Sequence, residues 1–159
     1  VRTGISLYGL SPDVQTLGNS TSLGLRPAMQ LRAALYLVKD VPAGSPVGYG
    51  ATQSTTVDTK LGVVAMGYAD GIPRTLKTPI EVTIAGRRYP LIGRVSMDQV
   101  TVDLGAETTI KAGDRAIFFG ANGASTADDW AKAAGTISYE ILSRIGGRVP
   151  RLAGRINPY

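Results

Sequence analysis

The chain has 159 residues, no cysteine and no histidine, and 17 Lys and Arg against 12 Asp and Glu, a net charge of +5. That excludes disulfides and thiolate metal sites, removes the commonest neutral metal ligand and general base, and leaves Tyr, Lys, Asp and Glu for any proton transfer. One main domain with a real core is expected, because a chain of this size buries about 70 % of its unfolded surface. No stretch approaches the ~20 apolar residues of a membrane span, and no secretion signal opens the chain. A soluble, cytoplasmic protein without a membrane partner is the expectation, and Val1 reads as an excised boundary rather than a natural start.

In chain order, Val1 to Leu10 reads as a strand ending in Tyr8-Gly9, and Ser11 to Ser22 as a polar connector. Residues 1–23 therefore form a detachable arm, and residues 24–159 the main domain. From Leu25, Met29, Leu31, Ala33, Leu35 and Leu37 alternate against Gln30, Arg32, Ala34, Tyr36 and Val38, the two-residue period of a long half-buried strand. Leu61 to Met66 is an apolar run, and Glu81 to Ile84, Ala85-Gly86 and Arg87 to Tyr89 predict a hairpin. Gln99 to Leu104 alternates again, and Ala112-Gly113-Asp114 turns into Ala116 to Phe119.

Two helices follow. The first has Ser125 or Thr126 as N-cap, Asp128 and Asp129 in its first turn, Trp130 as core anchor and Gly135 past its end. The second places Ile137, Ile141, Leu142 and Ile145 on one face and stops at Gly146-Gly147, leaving Arg148 to Leu152 extended. Many short strands separated by Gly and Pro predict a mainly β fold, a closed or nearly closed barrel with two short helices.

Three tyrosines sit in settings that hold a phenol out of the packing. Tyr49 lies between Gly48 and Gly50, Tyr68 follows Gly67 and precedes Ala69-Asp70-Gly71, and Tyr139 opens the second helix. Singly, each is also compatible with an ordinary loop tyrosine at a sheet edge.

Arg2-Thr3-Gly4-Ile5, Gly48-Tyr49-Gly50-Ala51-Thr52, Gly67-Tyr68-Ala69-Asp70-Gly71, Gly93-Arg94-Val95-Ser96-Met97-Asp98-Gln99 and Ile137-Ser138-Tyr139-Glu140-Ile141-Leu142 occur in one order and spacing. In these stretches the chain resembles the C-terminal part of alanine racemase, the enzyme dependent on pyridoxal 5'-phosphate (PLP). The resemblance implies that residues 1–23 are the last piece and linker of an N-terminal α/β barrel, and that the missing barrel carries the PLP-binding lysine. It implies a homodimer with shared active sites that interconverts L-alanine and D-alanine, supplying D-alanine for peptidoglycan, and a fragment that is inactive alone.

Racemisation needs two bases, one on each face of the α-carbon. By resemblance these are the barrel lysine and Tyr49, which also touches substrate; with no histidine in the chain, an imidazole that activates Tyr49 has to come from the barrel. Arg2 matches the arginine that meets the pyridine nitrogen and, being always protonated, keeps that nitrogen unprotonated. Gly4 and Ile5 match the backbone N–H groups that hold the phosphate, joined by the hydroxyl matched by Tyr139. Met97 matches the residue whose N–H meets the substrate carboxylate, and Tyr68 a tyrosine narrowing the substrate entrance, with Asp98 beside both. No residue matches a metal ligand. Thr3 stands where the family commonly has Pro, and Gln53 where an aromatic residue often follows.

A different class of function is also open to the residues themselves. Arg87-Arg88 and the series Arg144, Arg148, Arg151 and Arg155 would suit a small basic β-barrel RNA-binding module. Such a module should show stacking aromatics among its basic residues, whereas the tyrosines lie in the Gly-flanked motifs. The leading expectation is therefore no nucleic-acid partner, with the arginine series a solvated rim.

Overall fold

The computed structural model of the chain describes residues 1–121 and 124–154. It contains strands β1 (Leu31–Val41), β2 (Pro46–Val47), β3 (Gln53–Ser54), β4 (Thr59–Val64), β5 (Glu81–Ile84), β6 (Arg87–Ile92), β7 (Val100–Asp103) and β8 (Arg115–Phe119). Helices α1 (Val14–Leu17), α2 (Ala127–Ala134) and α3 (Ser138–Ser143) are joined by three short 3₁₀ turns, Gly4–Tyr8, Tyr49–Ala51 and Tyr68–Asp70. Six strands close into a barrel in the order β1-β4-β7-β6-β5-β8, every neighbour antiparallel. Closure pairs both sides of each strand and removes the free edges of an open sheet.

The interior is filled by Leu35, Val64, Val82, Val100, Val102 and Phe118, all buried. Gly62 makes room for Leu35 and for the neighbouring Leu104: a Cβ there would lie 2.8 Å from Leu35 Cδ2 and 3.1 Å from Leu104 Cδ1. The β5–β6 hairpin turns on Ala85 and Gly86, both at positive φ (48° and 79°), the pairing whose twist suits a two-residue connection.

Helix α2 lies on the barrel. Thr126 is its N-cap: its hydroxyl accepts the Asp129 N–H at 3.1 Å while the Asp129 carboxylate accepts the Thr126 N–H at 2.7 Å, so two otherwise orphan donors are satisfied. The Trp130 indole N–H donates to the Phe118 carbonyl at 2.6 Å, and its ring packs 5.8 Å from that of Phe118. The anchor is thus apolar burial with its polar atom satisfied. The helix ends at Gly135, in the left-handed region at φ 72°.

Three expectations are corrected. Val1 to Leu10 does not form a strand: Gly4–Tyr8 is a 3₁₀ turn closed by Gly9 N–H donating to the Ser6 carbonyl. The backbone groups of this segment are thus satisfied by a local turn and not by a ladder. Leu37 is exposed rather than buried, because a bulge between Leu35 and Leu37 shifts the β1–β4 register and turns Val38 inward instead. Ile137 is exposed because it occupies the N-cap of α3, before the helix begins, while Ile141 and Ile145 reach the core.

The arm is packed against the barrel domain. Ile5 and Leu10 join the main core, the Ala28 N–H donates to the Tyr8 carbonyl at 3.0 Å, and Gly9 approaches Arg26 so closely that a Cβ would overlap its carbonyl. Among the described residues no helix is long and apolar enough to cross a membrane.

Candidate active site

The loop between β6 and β7, residues 93–99, braces two of the three tyrosine turns. Tyr49 lies at the tip of the short β2–β3 ladder, in which Pro46 pairs with Ser54 and Val47 with Gln53. Gly48 (φ 72°) and Gly50 (φ 75°) take conformations that side chains disfavour, and a Cβ on either would meet Arg94, at 3.1 Å from its backbone nitrogen or 3.4 Å from its guanidinium. Gly93 is as tightly fitted: a Cβ would come 2.9 Å from the Val47 carbonyl oxygen, and its N–H donates to the Gln53 side chain. The polar residue at position 53 thus has a defined packing role, tying the ladder to the brace. The Tyr49 side chain is held outward, 72 % exposed.

Farther along the same loop, the Ser96 and Met97 carbonyls accept the N–H groups of Tyr68 (3.0 Å) and Ala69 (2.9 Å). Gly67 leaves no room for a side chain there, since a Cβ would lie 2.3 Å from the Met97 carbonyl oxygen. Val95, buried between the two contact points, pins the loop to the core. Tyr49, Tyr68, Met97 and Asp98 are consequently carried by one rigid assembly, with Met97 half-exposed and Tyr68 at the margin of exposure.

The structure also reveals a pair of contacts that the motifs do not announce. Asp70 is buried; one of its carboxylate oxygens accepts the Gly67 N–H at 2.9 Å, and the other faces Arg148 Nε at 3.3 Å. The same guanidinium donates to Asp98 at 2.7 Å. The Asp98 hydrogen bond, followed by the charge of Asp70, holds the Arg148 proton still more tightly than usual. A signal existed only for the aspartate, an acid next to a glycine turn; its partner, remote in sequence, is not legible from spacing.

Arg2, Gly4, Ile5 and Tyr139 form a separate group, on the arm and at the start of α3. Tyr8 and Leu10 of the arm line one small cleft with Leu142 of α3, so these elements are neighbours. Arg2 and Gly4 are exposed, Tyr139 is 42 % exposed, and Ile5 is buried in the core. Among the described residues, no hydrogen bond or ion pair joins this group to Tyr49, Tyr68, Met97 or Asp98.

Beside the Tyr49 turn opens a groove of about 420 Å³ whose lining includes Thr52, Gln53, Arg74, Lys77 and Arg94 and no carboxylate. Its charge favours a small anion. The arginines that would suit a nucleic-acid surface are turned to internal use: Arg144 pairs with Glu140 at 3.4 Å, Arg151 donates to the Ile145 carbonyl at 2.9 Å, Arg88 lies 3.9 Å from Glu81 and Arg87 covers the Tyr89 ring. Arg155 lies outside the described residues.

A sequence model described as alanine racemase, C-terminal domain, matches residues 28–153. An alanine racemase of Frankia casuarinae is 50 % identical over 153 residues, 95 % of this chain and 39 % of its own length. The crystal structure of alanine racemase from the D-cycloserine-producing Streptomyces lavendulae superposes with a TM-score of 0.87 at 51 % identity, over 96 % of this chain and 40 % of that one. Alanine racemase from Streptomyces coelicolor gives 0.88 at 49 % identity, over the same shares. The chain spans about two-fifths of the length of these relatives. With a closed barrel, an arm and two late helices all superposing at such identity, the chain belongs to the alanine racemase family and corresponds to its C-terminal domain.

Proposed function

We propose that this domain supplies one of the two bases, the substrate-carboxylate contact and part of the cofactor site of a PLP-dependent alanine racemase. The observation that carries this reading is the shared brace: one loop holds an outward phenol, Tyr49, and the half-exposed Met97 in fixed relation. Proton removal at one face of an α-carbon and delivery at the other demands such fixed geometry, because misplacement of a reacting group by about 1 Å costs up to ~10²-fold in rate.

The arm suits a phosphorylated pyridine. The side chains of Arg2 and Tyr139 make no hydrogen bond among the described residues, and Gly4, at φ 57°, has nothing within 4 Å of where a Cβ would stand. A guanidinium, a phenol and two N–H groups that start a 3₁₀ turn, those of Gly4 and Ile5, are the donors that a phosphate and a ring-nitrogen acceptor require. PLP, when bound, supplies the electron sink that makes an amino-acid α-proton labile. In this reading Arg2 donates to the ring nitrogen, Gly4, Ile5 and Tyr139 hold the phosphate, and Tyr49 carries a proton to and from the α-carbon. Met97 N–H binds the carboxylate, while Tyr68 and Asp98 flank the entrance. Residues 1–23 belong to the end of the barrel domain and its linker.

The two groups of residues are carried by separate parts of the domain, which favours a homodimer in which Tyr49 serves the partner's cofactor. The enzyme interconverts L-alanine and D-alanine in the cytoplasm for peptidoglycan, and the isolated domain, without the barrel lysine, is inactive. No nucleic-acid role is proposed, because Arg144, Arg148 and Arg151 are engaged within the domain. The test is Tyr49→Phe in the full-length enzyme: racemisation in both directions should fall by at least the ~10²-fold of a lost acid–base group, with PLP still bound. Near-normal turnover would remove Tyr49 from proton transfer.

A further inference from the structure

Arg148 joins two elements that meet nowhere near it in sequence. Its guanidinium reaches Asp70, in the Tyr68 turn, through Nε at 3.3 Å, and Asp98, next to Met97, through a terminal nitrogen at 2.7 Å. The segment that carries it is itself fixed to that turn: Gly146 N–H donates to the Asp70 carbonyl at 3.2 Å, and Gly71 lies where a Cβ would come 2.5 Å from the Arg144 carbonyl oxygen. Asp70 is nearly buried and immobilised by the Gly67 N–H, so it is the fixed end of the bridge. Asp98 is exposed and is the end that needs holding.

We infer that Arg148 is a positioning residue for the substrate carboxylate: it clamps Asp98 to the buried Asp70 and so holds the adjoining Met97 N–H at its working distance from the Tyr68 turn. This rests on the carboxylate role proposed above for Met97. An exposed ion pair contributes little to stability by itself, and the value of this one lies in geometry. A planar fork presents its donors in fixed directions, here one to each carboxylate; an ammonium has three donors but no fixed directions and a flexible stem, so it holds the same two carboxylates less rigidly. The 96–97 backbone bonds to Tyr68 and Ala69 fix the near side of the loop, and the Arg148 bridge fixes its far side.

The test uses the full-length, PLP-loaded enzyme and two probes, alanine and propionate, the latter a carboxylate without an amine. Arg148→Ala should raise KM for alanine about tenfold and weaken competitive inhibition by propionate equally, with kcat changed less than about threefold. Ethylamine, which lacks the carboxylate, should inhibit as it does the wild type. Arg148→Lys should recover part of the propionate affinity. The double variant Arg148→Ala/Asp98→Asn should be no worse than the poorer single one, because both break the same bridge. Unchanged propionate inhibition in Arg148→Ala, equal loss for ethylamine, or additive defects in the double variant would each overturn the inference. Should Arg148→Ala fail to fold, Arg148→Gln and Arg148→Lys give the same comparison. Wild-type enzyme that racemises no alanine would instead overturn the proposed function, a result read before any variant is made.

Discussion

Gly48 and Arg94 approach so closely that a methyl group between them would push the Arg94 backbone away by a few tenths of an ångström: at φ 72° and ψ −177°, a Cβ on Gly48 would stand 3.1 Å from the Arg94 backbone nitrogen. This contact sets the angle at which Tyr49 leaves the domain. Gly44, in the preceding turn, has a similar φ of 79° but open space around its would-be Cβ.

The pair gives a controlled prediction. Gly44→Ala should cost only the backbone strain of an alanine at positive φ, about 1 kcal/mol, whereas Gly48→Ala adds the glycine-only combination of φ 72° with ψ −177° and the tight contact with Arg94, and should cost on the order of 2–3 kcal/mol. Urea unfolding of the full-length enzyme measures both. Racemase activity should be retained in the first and fall well beyond the stability loss in the second, since Tyr49 is displaced. Equal effects in the two variants would show that neither the backbone geometry of Gly48 nor its contact with Arg94 constrains the turn.

A second prediction concerns acid. Asp13 caps α1: its carboxylate accepts the Thr16 hydroxyl at 2.6 Å, the Thr16 N–H at 3.2 Å and the Gln15 N–H at 2.9 Å, and these bonds, in that order, hold its ionisation below the ordinary aspartate range against a small opposing effect of burial. A carboxyl whose folded pKa is depressed stabilises the fold above its unfolded pKa, and that contribution is lost as pH falls through the folded value. The α1 turn should therefore persist at pH values where an unpaired aspartate is already protonated. Titration of the Asp13 carboxyl carbon and of the Gln15 and Thr16 amides by NMR should give one midpoint on the acid side of a peptide aspartate. A midpoint at or above the peptide value would mean that the cap is not formed.

What the sequence discloses of this fold is what is local. The Thr126 cap with Asp129, the Gly135 stop, the Ala85-Gly86 turn and the outward setting of Tyr49 all follow from neighbours within a few residues, and all are legible. The bulge that turns Leu37 outward and Val38 inward depends on how β1 meets β4, and Gly4–Tyr8 closes as a 3₁₀ turn through a local backbone bond; neither is encoded in the alternation itself. The brace was legible only in its parts. Gly48, Gly67 and Gly93 are visible as glycines, but that the first and last close on each other, and the second on Ser96 and Met97, is a property of the closed barrel. Arg148 reads as one member of a basic series until the fold sets it between Asp70 and Asp98.

The last prediction tests which subunit Tyr49 serves. Tyr49, Tyr68 and Met97 share one brace, and Arg2, Gly4, Ile5 and Tyr139 lie on the arm and α3, with no polar link between the groups among the described residues. If the first group acts on the partner's cofactor and the second on its own, two inactive full-length variants should complement. One lacks the barrel lysine and the other carries Tyr49→Phe. In their two-fold heterodimer, one site combines both defects and the other has both bases intact. Random exchange makes about half of the dimers mixed, each with one good site of two, so activity should recover to roughly a quarter of wild type. A chain carrying both defects is the control: its heterodimer with wild type spoils one base in each site and should add nothing beyond the residual wild-type homodimers. Failure of the separate variants to complement, after subunit exchange is verified by mass, would place Tyr49 in the site of its own chain and break the division between the two groups.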